Sequence, residues 1–190
     1  MSEGYRLAVA EDAEELLDLI LGAYQTIRDL NIAFTAAQAD IELVATNILE
    51  HTCYVVEKDG RLAATVSLKE LPDVTPHPFL YWFAVDPRWK GRGIGRELLD
   101  YIEQRVIRQE LRAPAVTLAT SRKHPWLLPM YKRRGYQPWF ERDLGTDDKL
   151  VFMTKQLLPE LQLEEEGSLV NQEQAEPLQE ITAVGAQDQS

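Results

Sequence analysis

A single cysteine in 190 residues, Cys53, excludes an internal disulfide. The fold must therefore rest on its core and not on cross-links. Cys53 stands in an apolar stretch, where a cysteine behaves as a small buried hydrophobe more often than as a nucleophile. No apolar run approaches the ~20 residues of a membrane-spanning helix, and no charged-then-apolar leader opens the chain. The expectation is a cytoplasmic protein with no membrane partner, and no metal centre is expected. Basic residues are missing from one long stretch: residues 159–190 hold eight Asp or Glu and no Lys or Arg. Removing those eight charges from the formal net charge of −11 leaves −3 for residues 1–158. The same stretch lacks aromatics and regularly spaced apolar residues, so it cannot bury enough surface to offset chain entropy. It reads as an acidic, disordered C-terminal tail behind one folded domain, 1–158.

Acid is also missing where it matters most. Phe83-Ala84-Val85-Asp86-Pro87-Arg88-Trp89-Lys90-Gly91-Arg92-Gly93-Ile94-Gly95-Arg96 carries four basic residues from Arg88 onward and no acidic one. It reads as the end of a buried strand, a short loop and a glycine-rich helix start. Glycines at alternate positions let backbone N–H groups converge on one point, and the first helical turn adds unpaired amides and partial positive charge. Such a device holds phosphate or pyrophosphate. The spacing excludes a Walker loop, which needs four residues between its first glycine and a Gly-Lys-Ser/Thr. It also excludes the dinucleotide fingerprint, which needs Gly-x-Gly-x-x-Gly and a carboxylate about twenty residues on; the next strand here ends in Thr120-Ser121.

Val85-x-Pro87-x-x-Lys90-x-x-Gly93-x-Gly95 resembles the acetyl-CoA loop of the GCN5-related N-acetyltransferases, with Lys90 where that family has Arg or Gln. A second segment carries the same resemblance: Tyr131-x-x-x-Gly135-Tyr136 looks like the helix ending that the family follows with Gly-Phe or Gly-Tyr. The resemblance covers roughly residues 4–156. It implies a single α/β domain with a mixed, mainly antiparallel sheet, splayed at the cofactor site and flanked by helices. It further implies acetyl-CoA as acyl donor, bound by Phe83, Ala84 and Val85 on the strand and by Lys90, Gly91, Arg92, Gly93, Ile94, Gly95 and Arg96 on the loop. Tyr131 matches the tyrosine that in many members protonates the departing sulfur; a phenol with a pKa near 10 carries its proton at neutral pH. The acceptor it implies is a primary amine of a small molecule or a peptide.

The chain reads β-α-α-β-β-β-α-β-α-β-β. Asp12 with Glu15, and Thr35 with Gln38, look like helix starts of the capping-box kind. Asp59-Gly60 suits a two-residue type I′ hairpin turn. Phe79 to Val85 is a continuous apolar strand, and Pro125 suits a first helical position. No base stands out. Leu80-Tyr81-Trp82-Phe83 and Thr117-Leu118-Ala119-Thr120 contain no carboxylate. His77, Asp73 and Glu70 lie just upstream of the first of these strands, and His124 falls where the family often has a cofactor-contacting asparagine. Tyr24, Arg28, Asp29, Asn31 and Phe34, with Tyr81 and Trp82, are candidates for the acceptor wall. Two readings compete with the enzyme. The missing carboxylates suit a catalytically silent acyl-CoA-binding module. The clustered Lys and Arg suit a nucleic-acid surface, which the net acidity opposes, so no nucleic-acid partner is expected. The domain could also pair as a homodimer.

Overall fold

The computed structural model describes residues 4–145 and 147–158; the expected tail, 159–190, lies outside the described residues. Seven strands form one open sheet: β1 (Tyr5–Leu7), β2 (Thr52–Lys58), β3 (Arg61–Lys69), β4 (Phe79–Val85), β5 (Ala115–Ser121), β6 (Gln137–Asp143) and β7 (Lys149–Gln156). Their order is β1-β2-β3-β4-β5-β7-β6. The β4–β5 pair is parallel and all the other pairs are antiparallel. A parallel pair needs a long crossover. Here that crossover is α4 (Ile94–Tyr101), which runs on as a wider, π-type helix over Ile102–Glu110.

Strand composition explains the layering. Every residue of β4 and of β5 is buried, as expected of central strands covered on both faces. Phe79, Phe83, Phe152, Tyr24, Tyr81, Tyr131 and Tyr136 are the largest wholly buried rings. The β2–β3 hairpin turns at Asp59 (φ 52°) and Gly60 (φ 71°), the paired positive angles of a type I′ turn.

Three helix starts differ from the sequence reading. Asp12 does not cap its own helix. Its carboxylate accepts the Val9 N–H at 2.8 Å and a fork from Arg6 at 2.6 and 2.9 Å. Glu15 instead accepts from Arg61 Nε at 2.6 Å and the Leu62 N–H at 3.1 Å. Thr35–Gln38 forms only a 3₁₀ turn. The helix begins at α3 (Ile41–Glu50), capped by Asp40, whose carboxylate accepts the Leu43 N–H at 2.8 Å. The helix expected to open at Pro125 is α5 (Leu127–Arg133). The first helical segment is split into α1 (Ala13–Ala23) and α2 (Gln25–Asp29). Arg28 ties the region together by donating to the carbonyls of Leu21 at 2.5 Å and Ala37 at 2.9 Å.

Candidate active site

The site begins with a defect in the central strand. Tyr81 pairs with Ser67 and Ala84 with Thr65, so Trp82 and Phe83 together oppose the single residue Val66. The extra residue is a β-bulge, and Trp82 takes φ 52° to make it. A bulky residue rarely adopts positive φ, and such strain persists where surrounding structure over-determines it. The β4–β5 ladder holds at Phe79↔Thr117 and Leu80↔Leu118 and stops there. Beyond Leu80 the two strands separate, which is the splay expected from sequence. The Tyr24 hydroxyl donates to the Phe83 carbonyl at 3.4 Å, placing α1 against the bulge.

After β4 the chain makes a 3₁₀ turn, Pro87–Trp89, and enters the glycine loop. Gly91 (φ 74°) and Gly93 (φ 80°) occupy the left-handed region that the motif needs from glycine. Gly95 is buried in the first turn of α4. The local basic excess is smaller than the sequence suggests. Arg88 forks onto buried Asp86, Nε to Oδ1 at 2.9 Å and Nη2 to Oδ2 at 2.6 Å, and Asp86 also accepts the Arg88 N–H. These bonds hold the Asp86 carboxyl below its ordinary range. Arg92 lies over the Trp89 ring at 4.9 Å, while Lys90 is exposed.

A cavity of about 570 Å³ opens between α4 and α5, lined by Phe83, Gly95, Arg96, Leu99, Asp100, Trp126, Met130, Arg133, Arg134 and Lys155. Of the sequence candidates, Phe83, Gly95 and Arg96 line it. Ala84 and Val85 are buried in β4 against Thr65 and Ala64, and Ile94 packs into the core. Trp126, Leu99, Met130 and Lys155 were not identified from sequence, because a lone apolar residue or strand lysine carries no signal of what it lines.

The second motif forms the other wall. α5 ends in a Schellman closure: Gly135 has φ 94°, its N–H reaches the Lys132 carbonyl at 3.0 Å, and the Tyr136 N–H reaches the Tyr131 carbonyl at 3.0 Å. That closure sets the Tyr131 and Tyr136 rings edge to face, 5.5 Å apart. The Tyr136 hydroxyl donates to buried Glu103 at 2.9 Å, and Glu103 also pairs with Lys155 and with Arg134. Arg134 further reaches Asp100 at 2.8 Å. Two cavity-lining cations are thereby anchored from below.

Tyr131 is different. It is wholly buried, and its hydroxyl has no hydrogen-bond partner among the described residues. Burial, with a smaller contribution from Tyr24, pushes its pKa well above the usual phenol value. Trp82 Nε1, Thr120 Oγ1, both ring nitrogens of His124, Trp126 Nε1 and Arg134 Nε are likewise buried and without a partner among the described residues. The large majority of buried side-chain polar atoms normally have a partner. A cluster of exceptions around one cavity and one splayed strand pair marks a place built for a ligand's polar atoms. His124 is 1% exposed and stands edge-on to Trp126, ring centroids 4.3 Å apart. Burial pulls its pKa down to about 4.

The remaining candidates disperse. His77 lines a separate cavity of about 680 Å³ with Thr75, Gln137 and Trp139. Asp73 and Glu70 are exposed. Arg28 is committed to backbone carbonyls, Asp29 accepts from Gln25 at 2.8 Å, and Phe34 is core. Tyr81 donates to Asn47 at 2.6 Å.

Comparison with known proteins agrees with this geometry. The model of the acetyltransferase (GNAT) family matches residues 15–136. S-(2-succino)cysteine N-acetyltransferase of Bacillus subtilis (strain 168) is 48% identical over 165 residues, 85% of this chain and 100% of that protein. S-alkylcysteine N-acetyltransferase of the same organism is 47% identical over 162 residues, covering 82% and 90%. Among solved structures, the PaiA N-acetyltransferase of Thermoplasma acidophilum in complex with coenzyme A superposes with a TM-score of 0.65 at 17% identity. That match covers 82% of this chain and 99% of that one. The ribosomal-protein-S18-alanine N-acetyltransferase of Escherichia coli gives 0.61 at 16%, covering 85% and 98%. At such identities these two show the fold alone.

Proposed function

The chain belongs to the acetyltransferase (GNAT) family, and from that premise we propose that it acetylates the α-amino group of cysteines substituted on sulfur. It is an acetyl-CoA-dependent N-acetyltransferase acting on a primary amine, so the silent acyl-CoA-binding module gives way. One observation carries the acceptor class: two relatives near half identity, aligned over nearly their whole length, are both named for cysteine derivatives.

The residues fit the donor. The cavity between α4 and α5 has room for the pantetheine arm, and Trp126 Nε1, without a partner among the described residues, offers a polar contact along it. Gly91 and Gly93, in left-handed conformation, leave the loop backbone open to a pyrophosphate, with α4 adding its N-terminal amides. The loop positions Lys90, Gly91, Arg92, Gly93, Ile94, Gly95 and Arg96 are assigned to the donor on this ground. A backbone amide at the bulge, within Phe83 to Val85, would serve the thioester oxygen as charge develops; one such donor is worth roughly 3–4 kcal/mol in other acyl-transfer enzymes. Tyr131 would give its proton to the leaving sulfur. Its raised pKa keeps the phenol protonated throughout the neutral range, and its hydroxyl is bound to nothing else among the described residues.

No described helix is long and apolar enough to cross a membrane, and a cytosolic location is the simplest match to the donor. Thiol release from acetyl-CoA, followed with S-methylcysteine, S-(2-succino)cysteine, unsubstituted cysteine, lysine and a short peptide, tests the acceptor class. Turnover confined to the first two supports it. Equal turnover of all five, or preference for the peptide, overturns it.

A further inference from the structure

An amine attacks a thioester only as the free base, and the adduct must shed an N–H proton before the product is neutral. Something at the reaction centre has to take that proton. β4 and β5 supply no carboxylate. Asp100, which lines the cavity, is paired with Arg134 at 2.8 Å and with Arg96 at 3.9 Å. Asp86 is forked by Arg88, and Glu103 is held by Tyr136, Arg134 and Lys155. Asp148 accepts from the Ser121 hydroxyl and from the Lys123 and Lys149 N–H groups. His77 belongs to another cavity.

His124 remains, and its placement is specific. It stands three residues beyond the end of β5, on the side where β4 and β5 have parted. Its ring abuts Trp126, which lines the donor cavity together with Phe83 of the bulge. It is 1% exposed, yet neither ring nitrogen has a partner among the described residues. A structural histidine at this depth would bond a carbonyl or a carboxylate; this one bonds neither among the described residues.

We propose that His124 is the catalytic proton acceptor, taking the proton from the amine of the acceptor as it attacks. The proposal rests on the acetyltransferase reading above but not on which amine is used. The nitrogen lone pair forms the C–N bond at the thioester carbon, and an N–H proton passes to the imidazole. The C–S bond breaks with its electron pair on sulfur, and that sulfur takes the Tyr131 proton. Imidazolium and phenolate return to neutral by exchange with water, so each turnover balances. The charged groups around the ring fit the cycle. Asp148, just ahead of β7, favours the imidazolium, and Lys123 in the same turn is paired with Asp147 at 2.9 Å. Burial keeps the imidazole unprotonated at neutral pH while lowering its basicity, so the transfer draws on Asp148 and on the acidity of the N–H once the amine has added to the thioester.

The test compares wild type with His124→Asn and His124→Ala, measuring kcat with one accepted amine and CoA affinity by calorimetry. A cooperative thermal transition in each variant, measured without ligand, certifies that it is folded. The expected result is a kcat lower by about 10²- to 10⁴-fold, with the CoA dissociation constant within about threefold of wild type. Retention of kcat within about threefold in either folded variant overturns the proposal. So does a loss of CoA affinity that matches the loss of kcat, which would make His124 a cofactor support. If wild type turns over an amine other than an S-substituted cysteine, the acceptor class falls, and the His124 comparison proceeds unchanged on that amine.

Discussion

Replacing Tyr131 by phenylalanine should make this protein more stable and nearly inactive. The ring is wholly buried, packed 5.5 Å from Tyr136, and the phenylalanine ring fills the same space. What leaves is a hydroxyl with no partner among the described residues. Burying such a group costs about 1–3 kcal/mol in mutational data, so its removal should stabilise by about 1 kcal/mol or more. For a domain of this size that raises Tm by roughly 2–4 °C per kcal/mol. The same deletion removes the proton for the leaving thiolate, and kcat should fall by about 10²- to 10⁴-fold. Two assays on one preparation decide the matter: differential scanning calorimetry without ligand, and steady-state turnover with one accepted amine. A lower Tm with kcat unchanged would refute the reasoning, because the hydroxyl would then be a structural bond and not a proton source. A fall in donor affinity at constant kcat would make Tyr131 a binding residue.

Gly93→Ala forces a side chain to φ 80°, costing roughly 1–2 kcal/mol of strain, although its Cβ meets only Glu97 Oε1 at 4.0 Å. The folded variant should bind acetyl-CoA more than tenfold more weakly by calorimetry, about 1.4 kcal/mol; unchanged affinity would remove the loop from the phosphate site. Glu103→Leu strands Lys155 and Arg134 without their buried partner, which should cost about 3–5 kcal/mol and lower Tm by roughly 6 °C or more; a shift under 2 °C, on the order of 1 kcal/mol or less, would show the network to be dispensable. Stability should decline as pH falls from about 6.5 towards 4: His124 has its folded pKa lowered to about 4, so only the unfolded chain takes up its proton in that window, a slope of up to roughly 1.4 kcal/mol per pH unit. His51 and His77, also lowered by burial, add in the same direction, and urea titrations of His124→Asn should show a shallower slope than wild type. A chain ending at Leu158 should keep wild-type Tm and donor affinity, which checks the domain boundary drawn from composition.

What could be read from sequence was what backbone geometry demands of residue type. Gly91 and Gly93 stand at positive φ, Asp59-Gly60 makes the primed turn, and Gly135 closes α5; each position tolerates few other residues. The apolar run from Phe79 to Val85 matches β4 residue for residue because a buried central strand needs apolar side chains on both faces. Helix starts were harder. Asp12-x-x-Glu15 and Thr35-x-x-Gln38 both carry the capping spacing, but tertiary partners decide which carboxylate caps. Arg61 captures Glu15, and Asp40 wins over Thr35. The family resemblance implied a splay in this strand, but the residue that makes it was not legible, since nothing about Trp82 announces φ 52°. The orphaned atoms of Trp82, Thr120, His124 and Trp126 were equally illegible, because lacking a partner is a property of surroundings and not of spacing. The charge count misled in part. Arg88 belongs to Asp86, Lys123 to Asp147 and Arg122 to Glu141, so much of the apparent basic excess is neutralised by ion pairs within the chain.

The acceptor class is tested most directly by competition. Equal concentrations of an S-substituted cysteine, lysine, a polyamine and a peptide with a free N-terminus are offered together with limiting acetyl-CoA, and products are resolved by mass spectrometry with fragmentation to locate the acetyl group. The account predicts that the acetyl group is found on the α-nitrogen of the S-substituted cysteine, in more than tenfold excess over every other product. An acetyl group placed chiefly on lysine, polyamine or peptide would contradict it.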